Sequence, residues 1–337
     1  MSKQKIILIT LVGNNNYGNK LQHYATQKIF SKKNISIKTL RTNRMTVVKK
    51  IKNKIKSFTR KRFRNFYIFD KKIHYINSAK NIDYCIIGSD QVWNTNFKTF
   101  KAENLGKNID CTKKISFSSS FGTDLLDEEY KPSFKEELSN FNHISVREDS
   151  GKKIIEDLTG RKDVEVLIDP TMLLIAEEWD EISKKPKQLK TKKYILSYFL
   201  GDQSESRRKE IEKIAKENNC QIINILDKND PFYTCGPSEF LYLEKHAFLI
   251  CTDSFHSSVF AILYNRPFVV FEREQKGIAN MNSRLDTLIN KFKLKNRRYN
   301  GINITNENLN HDYSEAYKIL EMERKKSIDF LNKAMKD

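Results

Sequence analysis

Four polar clusters carry side chains capable of acid–base or anion chemistry, and each stands where an apolar run gives way to a polar turn. In Thr252-Asp253-Ser254-Phe255-His256-Ser257-Ser258, Ser254 is of the N-cap type, so His256 falls in a first helical turn, where backbone N–H groups point outward. An imidazole beside an anion site holds a proton near neutral pH and can donate it; the plainer alternative is a capping turn with a bystander histidine. Gly88-Ser89-Asp90-Gln91-Val92-Trp93-Asn94 offers a carboxylate to accept from sugar hydroxyls and an indole to stack on a pyranose face. The alternative there is a capped turn above a core tryptophan. Ser145-Val146-Arg147-Glu148 supplies a guanidinium that forks onto a carboxylate or phosphate, or pairs structurally with Glu148. The fourth, Gly13-Asn14-Asn15-Asn16-Tyr17-Gly18-Asn19, combines glycine's backbone freedom with amides suited to hydroxyl-rich ligands, or is a left-handed turn. Arg273 and Arg284 bring two further cations, at a strand end and a helix start.

The elements that must position these clusters alternate between strand and helix. Ile6–Val12 reads as a strand, Lys20–Lys32 as a helix and Ile35–Leu40 as a second strand. Short apolar runs at Tyr84–Ile87, Ile115–Ser118, Ile144–Val146 and Val164–Ile168 continue the pattern. It breaks between Asp169 and Lys193, a stretch with two prolines and a lysine-rich run. It then resumes with strands at Tyr194–Leu200, Gln221–Leu226, Ala247–Cys251 and Phe268–Phe271, with helices between them. The expected fold class is α/β: two doubly wound Rossmann-like domains facing a central cleft, with ligands at the strand C-terminal ends. The expected division is an N-terminal domain over 1–170, a linker over 171–192, a second domain over 193–310 and a closing helix over 311–337.

Charge is unevenly spread over the 337 residues. Residues 1–69 hold 18 Lys and Arg and no Asp or Glu, whereas the other 43 basic residues are balanced by 42 acidic ones. Within Arg41–Phe66, lysines flank Val48, Ile51, Ile55 and Phe58 at helical spacing, so a basic amphipathic helix over about 46–65 is expected. No apolar run approaches the roughly 20 residues that cross a bilayer, and Met1 to Val12 reads as a strand, not a signal peptide. The five cysteines show no C-x-x-C pairing and read as reduced thiols; Cys85, Cys220 and Cys251 lie in or beside apolar runs. Dinucleotide, P-loop and nucleophile-elbow glycine motifs are absent, no two aspartates stand at i, i+2, and the six histidines are scattered. Neither a catalytic metal nor a cofactor is expected.

Taken in order, Gly13–Tyr24 (GNNNYGNKLQHY), Ile86–Asn94 (IIGSDQVWN), Ser116–Gly122 (SFSSSFG), Ser145–Gly151 (SVREDSG), Asp169–Leu173 (DPTML), Thr252–Ala261 (TDSFHSSVFA), Asn265–Arg273 (NRPFVVFER) and Ser283-Arg284-Leu285 resemble the polysaccharide pyruvyl transferase family. The resemblance implies a two-domain fold like that of GT-B glycosyltransferases, with the active site between the domains. It implies transfer from phosphoenolpyruvate onto two sugar hydroxyls, giving a cyclic ketal and free phosphate. On that basis His256 is the general acid; independently, the chemistry calls for a carboxylate such as Asp90 or Asp253 to accept the hydroxyl's proton. Arg147, Ser254, Ser257, Arg273 and Arg284 bind the donor, and Asn16, Tyr17, Asn19, Gln22 and Trp93 the acceptor. Many members carry Arg where this chain has Ser254, and Arg273 or Arg284 would then supply that cation.

The implied partners are a cell-surface glycan or its lipid-linked precursor and, through residues 41–66, the anionic inner face of the cell membrane. Each basic residue near such a surface contributes about 1 kcal/mol. The expected place is cytoplasmic and peripheral. A GT-B-like glycosyltransferase using a sugar nucleotide is the alternative enzyme, and a catalytically lapsed relative is a third reading. A nucleic-acid-binding role would explain the basic first 69 residues but leave 70–337 without a purpose.

Overall fold

The computed structural model describes residues 4–13, 16–41, 60–274, 283–305 and 308–336. These divide into two compact units. One takes the described residues of Met1–Ile55, Asp70–Leu173 and Met322–Asp337, the other those of Lys56–Phe69 and Leu174–Glu321.

The first unit is built on a seven-stranded parallel sheet of order β3-β2-β1-β4-β5-β6-β7. Its strands are β1 (Ile6–Ile9), β2 (Ile37–Leu40), β3 (Tyr75–Ile76), β4 (Ile82–Asp90), β5 (Cys111–Ser119), β6 (His143–Val146) and β7 (Glu165–Val166). Helices α1 (Tyr17–Lys32), α3 (Lys131–Ser139) and α4 (Asp149–Thr159) belong to it. All four residues of β1 are buried, as expected of a parallel strand covered on both faces. Ile87, Trp93, Phe121, Phe134 and Ile144 are among the core residues on one side. The strand order reverses between β1 and β4, which makes their C-terminal ends the crevice where doubly wound folds bind ligands.

The second unit carries a four-stranded parallel sheet of order β11-β10-β8-β9. Its strands are β8 (Tyr194–Tyr198), β9 (Gln221–Asn224), β10 (Leu249–Thr252) and β11 (Phe268–Val270). Around them lie α5 (Ala176–Asp180), α6 (Glu205–Glu217), α7 (Pro237–His246), α8 (Phe255–Leu263) and α9 (Ser283–Lys291). Here the order reverses between β8 and β10.

Two helices cross the division. In α2 (Lys61–Asp70), all residues but Asp70 belong to the second unit. There Arg62 donates to the Tyr233 carbonyl at 2.8 Å and Asn65 to that of Thr234 at 2.7 Å. In α10 (Ser314–Ala334), Tyr317 donates to Ile262 O in the second unit. Farther along α10, Arg324 donates to Met172 O in the first. The division therefore departs from a simple cut near residue 170. The stretch expected as a linker includes α5, whose Trp179 packs on Phe260, and the closing helix is shared. The expected basic helix over 46–65 falls outside the described residues from 46 to 59; from Lys61 onward the chain is the helix α2. Cys85, Cys235 and Cys251 are buried free thiols, whereas Cys111 and Cys220 are partly exposed. Among the described residues no helix is long and apolar enough to cross a membrane.

Candidate active site

In the first unit the polar clusters converge on the reversal point of the sheet. Strand β4 runs on through Gly88, Ser89 and Asp90, so the first three residues of this cluster are the strand's end and only residues 91–94 form the turn after it. Gly88 has φ +139°, and a Cβ there would lie 2.1 Å from the Phe117 carbonyl oxygen, a backbone atom that cannot yield. Asn16 caps α1 by accepting from Asn19 N, so the helix begins earlier than its apolar spacing suggested and takes in Tyr17, Gly18 and Asn19. Asn19 Nδ2 then reaches Asp90 Oδ2 at 3.0 Å and Leu11 O at 2.9 Å, tying the loops after β1 and β4 together.

Arg147 lies beneath this junction, almost fully buried, with Nη2 2.5 Å from Asp169 Oδ2 and Nη1 3.9 Å from Asp90 Oδ1. Nη2 also donates to Ser89 Oγ. Asp169 in turn accepts from the Thr171 hydroxyl at 2.5 Å and its backbone N–H at 2.8 Å. The Arg147–Glu148 ion pair weighed from sequence gives way to another arrangement: Glu148 Oε1 accepts from Ser120 Oγ, Phe121 N and Gly122 N at 2.7–3.2 Å. Glu148 thus closes the Ser116–Gly122 loop, and the arginine is matched by two aspartates.

Three acceptor-side expectations need correction. Trp93 has no exposed surface, donates to Asn104 O at 3.1 Å and packs on Phe121 and Phe141, so it presents no face to a sugar. Tyr17 and Gln22 are likewise fully buried; the Gln22 amide nitrogen donates to Thr10 Oγ1 and Asn19 O. Asn16, at the exposed start of α1, remains at the surface, whereas Asp90 is buried with 10% of its side chain exposed. The cause is common to the three: they lie on the face of α1, or in the turn after β4, that covers the sheet.

The second unit repeats the logic at its own reversal point. Asp253, after β10, accepts from Leu200 N at 2.7 Å and Gly201 N at 2.8 Å, both following β8. Arg273 Nε lies 3.4 Å from Asp253 Oδ2, and Arg273 Nη2 donates to the Asp253 backbone oxygen at 3.2 Å. Both carboxylate oxygens accept hydrogen bonds within the protein, which makes Asp253 a holder of this strand end. Gly201 is required here because a Cβ would stand 2.5 Å from Glu274 O.

Ser254 is the N-cap of α8, its side chain accepting from Ser257 N, and His256 occupies the first turn with 6% exposure. The Phe255 ring stands edge-on to His256 at 5.3 Å, and the Arg284 guanidinium lies 5.8 Å from the Phe255 ring centre. Asp253, Ser254, His256, Arg273 and Arg284 are therefore grouped in one unit. Ser257 faces away from that group: its hydroxyl donates to Glu244 Oε1 at 2.6 Å in the core. Burial pushes the Glu244 carboxyl well above the usual carboxylate range, against the opposing pull of that hydroxyl, which favours its neutral form. Neither Asp169 as the partner of Arg147 nor Glu244 beneath the histidine helix was anticipated. Asp169 was visible only within its Asp-Pro motif, and nothing in the spacing marked Glu244.

Among the described residues no group of three or more His, Cys, Asp and Glu could hold a metal ion. The chemistry available is that of an imidazole and two guanidiniums at a helix start, and of an aspartate beside an amide in the other unit.

Solved structures share this α/β Rossmann-like, GT-B-like architecture. A UDP-N-acetylglucosamine 2-epimerase from Neisseria meningitidis, bound to UDP-GlcNAc, aligns with TM-score 0.50 at 11% identity, over 98% of this chain and 100% of that one. A putative UDP-N-acetylglucosamine 2-epimerase from Listeria monocytogenes gives 0.53 at 10% identity, over 98% and 90%. An uncharacterised protein from Klebsiella pneumoniae gives 0.50 at 13%, over 88% and 90%. No curated protein matches the chain. The family is settled by sequence: residues 16–275 match the model of the polysaccharide pyruvyl transferases, and the chain belongs to that family.

Proposed function

We propose that this protein transfers the pyruvyl group of phosphoenolpyruvate onto two hydroxyls of one sugar in a cell-surface polysaccharide or its lipid-linked precursor. The observation that carries this reading is the group around the start of α8: His256 in the first turn, with Arg273 fixed by Asp253 and Arg284 beside Phe255. Phosphoenolpyruvate carries about three negative charges near neutrality, and guanidiniums with helix N–H groups suit it. Ser254 leaves the donor without an arginine at that position, and Arg273 and Arg284 supply the cations in its place.

His256 delivers a proton to the methylene carbon, and a sugar hydroxyl attacks the cationic carbon so formed. The C–O bond to phosphate then breaks, and the second hydroxyl closes the ketal. Of the two protons released by the hydroxyls, one ends on His256 and the other leaves with phosphate, a carboxylate carrying one of them only in passing. Asp90 is the proposed acceptor of a hydroxyl's proton, and Asn19 and Asn16 orient the sugar. Arg147 is the residue that holds Asp90 and Ser89 in place. Phosphoenolpyruvate enters as co-substrate, with no metal or other cofactor assigned to the reaction.

The test is to mix protein, phosphoenolpyruvate and candidate glycans, and to follow phosphate together with ketal. Equal yields of the two support the reading. Consumption of a UDP-sugar with glycosidic product would support the sugar-nucleotide alternative instead.

The same reading has the protein work at the cytoplasmic membrane face, held by the basic residues 41–66, of which 42–59 lie outside the described residues. Co-sedimentation tests it: binding should require anionic lipid, fall with salt, and weaken when Lys49, Lys50, Lys52 and Lys54 become Gln.

A further inference from the structure

At the opposite end of the first unit's sheet lies a cavity of about 510 Å³, among the second half of α1, the loop entering β2 and the segment entering β3. Ligands of doubly wound folds bind at strand C-terminal ends. This cavity borders the N-terminal ends of β2 and β3, so it is separate from the Asp90–Asn19 crevice of the same unit. Its cations are Lys28, Lys38 and Lys72, with His74, and no carboxylate lines it. Asp70, the first acid in the sequence, is drawn off elsewhere: buried Lys20 pairs with it, Tyr75 OH donates to it at 2.5 Å, and Arg41 stands 3.8 Å away.

The walls are tied together. Gln27 donates to His74 O at 2.8 Å and accepts from His74 N at 2.9 Å, locking α1 to the segment that enters β3. Lys38 and Lys72 are exposed at its mouth. The volume falls in the range of small-molecule sites and far exceeds one oxyanion. Between the cations the lining offers hydroxyls and an amide, Ser31, Ser36 and Asn34, and one aromatic ring, Tyr24. Lysines answer a negative charge, whereas amides, hydroxyls and a single ring answer a polyhydroxylated body.

We infer that this cavity binds an anionic saccharide, a sugar unit bearing a carboxylate or phosphate, at a site distinct from the proposed reaction centre. Such a site would grip an acidic unit of a polymer while a different unit reacts. Because binding is measured without turnover, the inference stands or falls apart from pyruvyl transfer.

The experiment titrates the full chain with fluorescently labelled trigalacturonate, with maltotriose, inorganic phosphate and anionic vesicles as comparisons. Trigalacturonate should bind. The Lys38→Gln/Lys72→Gln variant should bind at least tenfold more weakly with unchanged melting, while Lys209→Gln/Lys213→Gln, at exposed lysines of α6, should stay within twofold. Hydrogen exchange should slow over 24–38 and 72–76 on binding. Equal loss in both variants would mean diffuse charge attraction and overturn the site. Maltotriose binding as tightly, or phosphate competing as well as trigalacturonate, would overturn the ligand class. Loss of vesicle binding alone in the first variant would reassign the lysines to lipid headgroups.

Discussion

Arg147 and Asp169 form an ion pair of 2.5 Å in which the side chains are 1% and 0% exposed. Removing one member of such a pair leaves an uncompensated buried charge, which costs about 3–5 kcal/mol. Asp169→Asn should therefore lower stability by about that amount in urea melts, with loss of activity following from the displaced Ser89 and Asp90. Arg147→Lys should also destabilise, because one ammonium cannot span Asp169, Ser89 and Asp90 as the forked guanidinium does. A loss below about 1 kcal/mol in both variants would show that the pair does not hold this junction.

Trp93 and Trp179, the two tryptophans of the chain, have no exposed surface. Iodide should quench the native protein's fluorescence several-fold less than that of the unfolded chain, and a bound sugar should not protect it further. Trp93→Ala should cost about 3–5 kcal/mol, as truncation of a buried large aromatic does. Strong native quenching relieved by acceptor would restore the stacking role.

Burial raises the Glu244 carboxyl in the folded state, so it holds its proton to higher pH than in the unfolded chain, where it is released at about pH 4.3. Its contribution is fully present below that unfolded value and is lost as pH rises toward the raised folded one. The loss can reach about 1.4 kcal/mol per pH unit within that window. Glu244→Gln, which mimics the neutral acid and retains an acceptor for Ser257, should thus gain stability relative to wild type as pH rises above about 5. A stability difference that stays flat over that rise would show that the Glu244 carboxyl is not raised.

His256 and its neighbours give the kinetic predictions. His256→Ala should lower kcat by roughly 10²–10⁴-fold, the usual consequence of losing a general acid. Arg273→Lys should raise the KM for phosphoenolpyruvate more than it lowers kcat, since lysine cannot both meet Asp253 and fork onto the donor. Turnover above a third of wild type in the histidine variant would remove His256 from the proton transfer.

The alternation of apolar runs made the parallel sheets legible, because strands buried on both faces need continuous apolar sequence, as in Ile6–Ile9 and Tyr194–Tyr198. It could not show the side-chain partners, which depend on strand order. Asp169 meets Arg147 across β6 and β7, and Asn19 meets Asp90 across β1 and β4, pairs far apart in the chain. Motif residues also overstated exposure. Trp93 and Tyr17 stand beside polar residues in sequence yet cover the sheet, since a strand or helix at a ligand crevice turns only part of its residues outward. His256, Ser254 and Arg273 were found together because one strand–helix junction and its neighbouring strand carry them all.

Pyruvyl transfer itself is most directly tested in heavy water, with the glycan that supports phosphate release. Proton delivery to the methylene carbon predicts a ketal whose methyl group carries one deuterium, formed in step with one phosphate, by mass spectrometry and NMR. Phosphate release without a ketal, or a sugar-nucleotide-dependent product with no new methyl group, would contradict it.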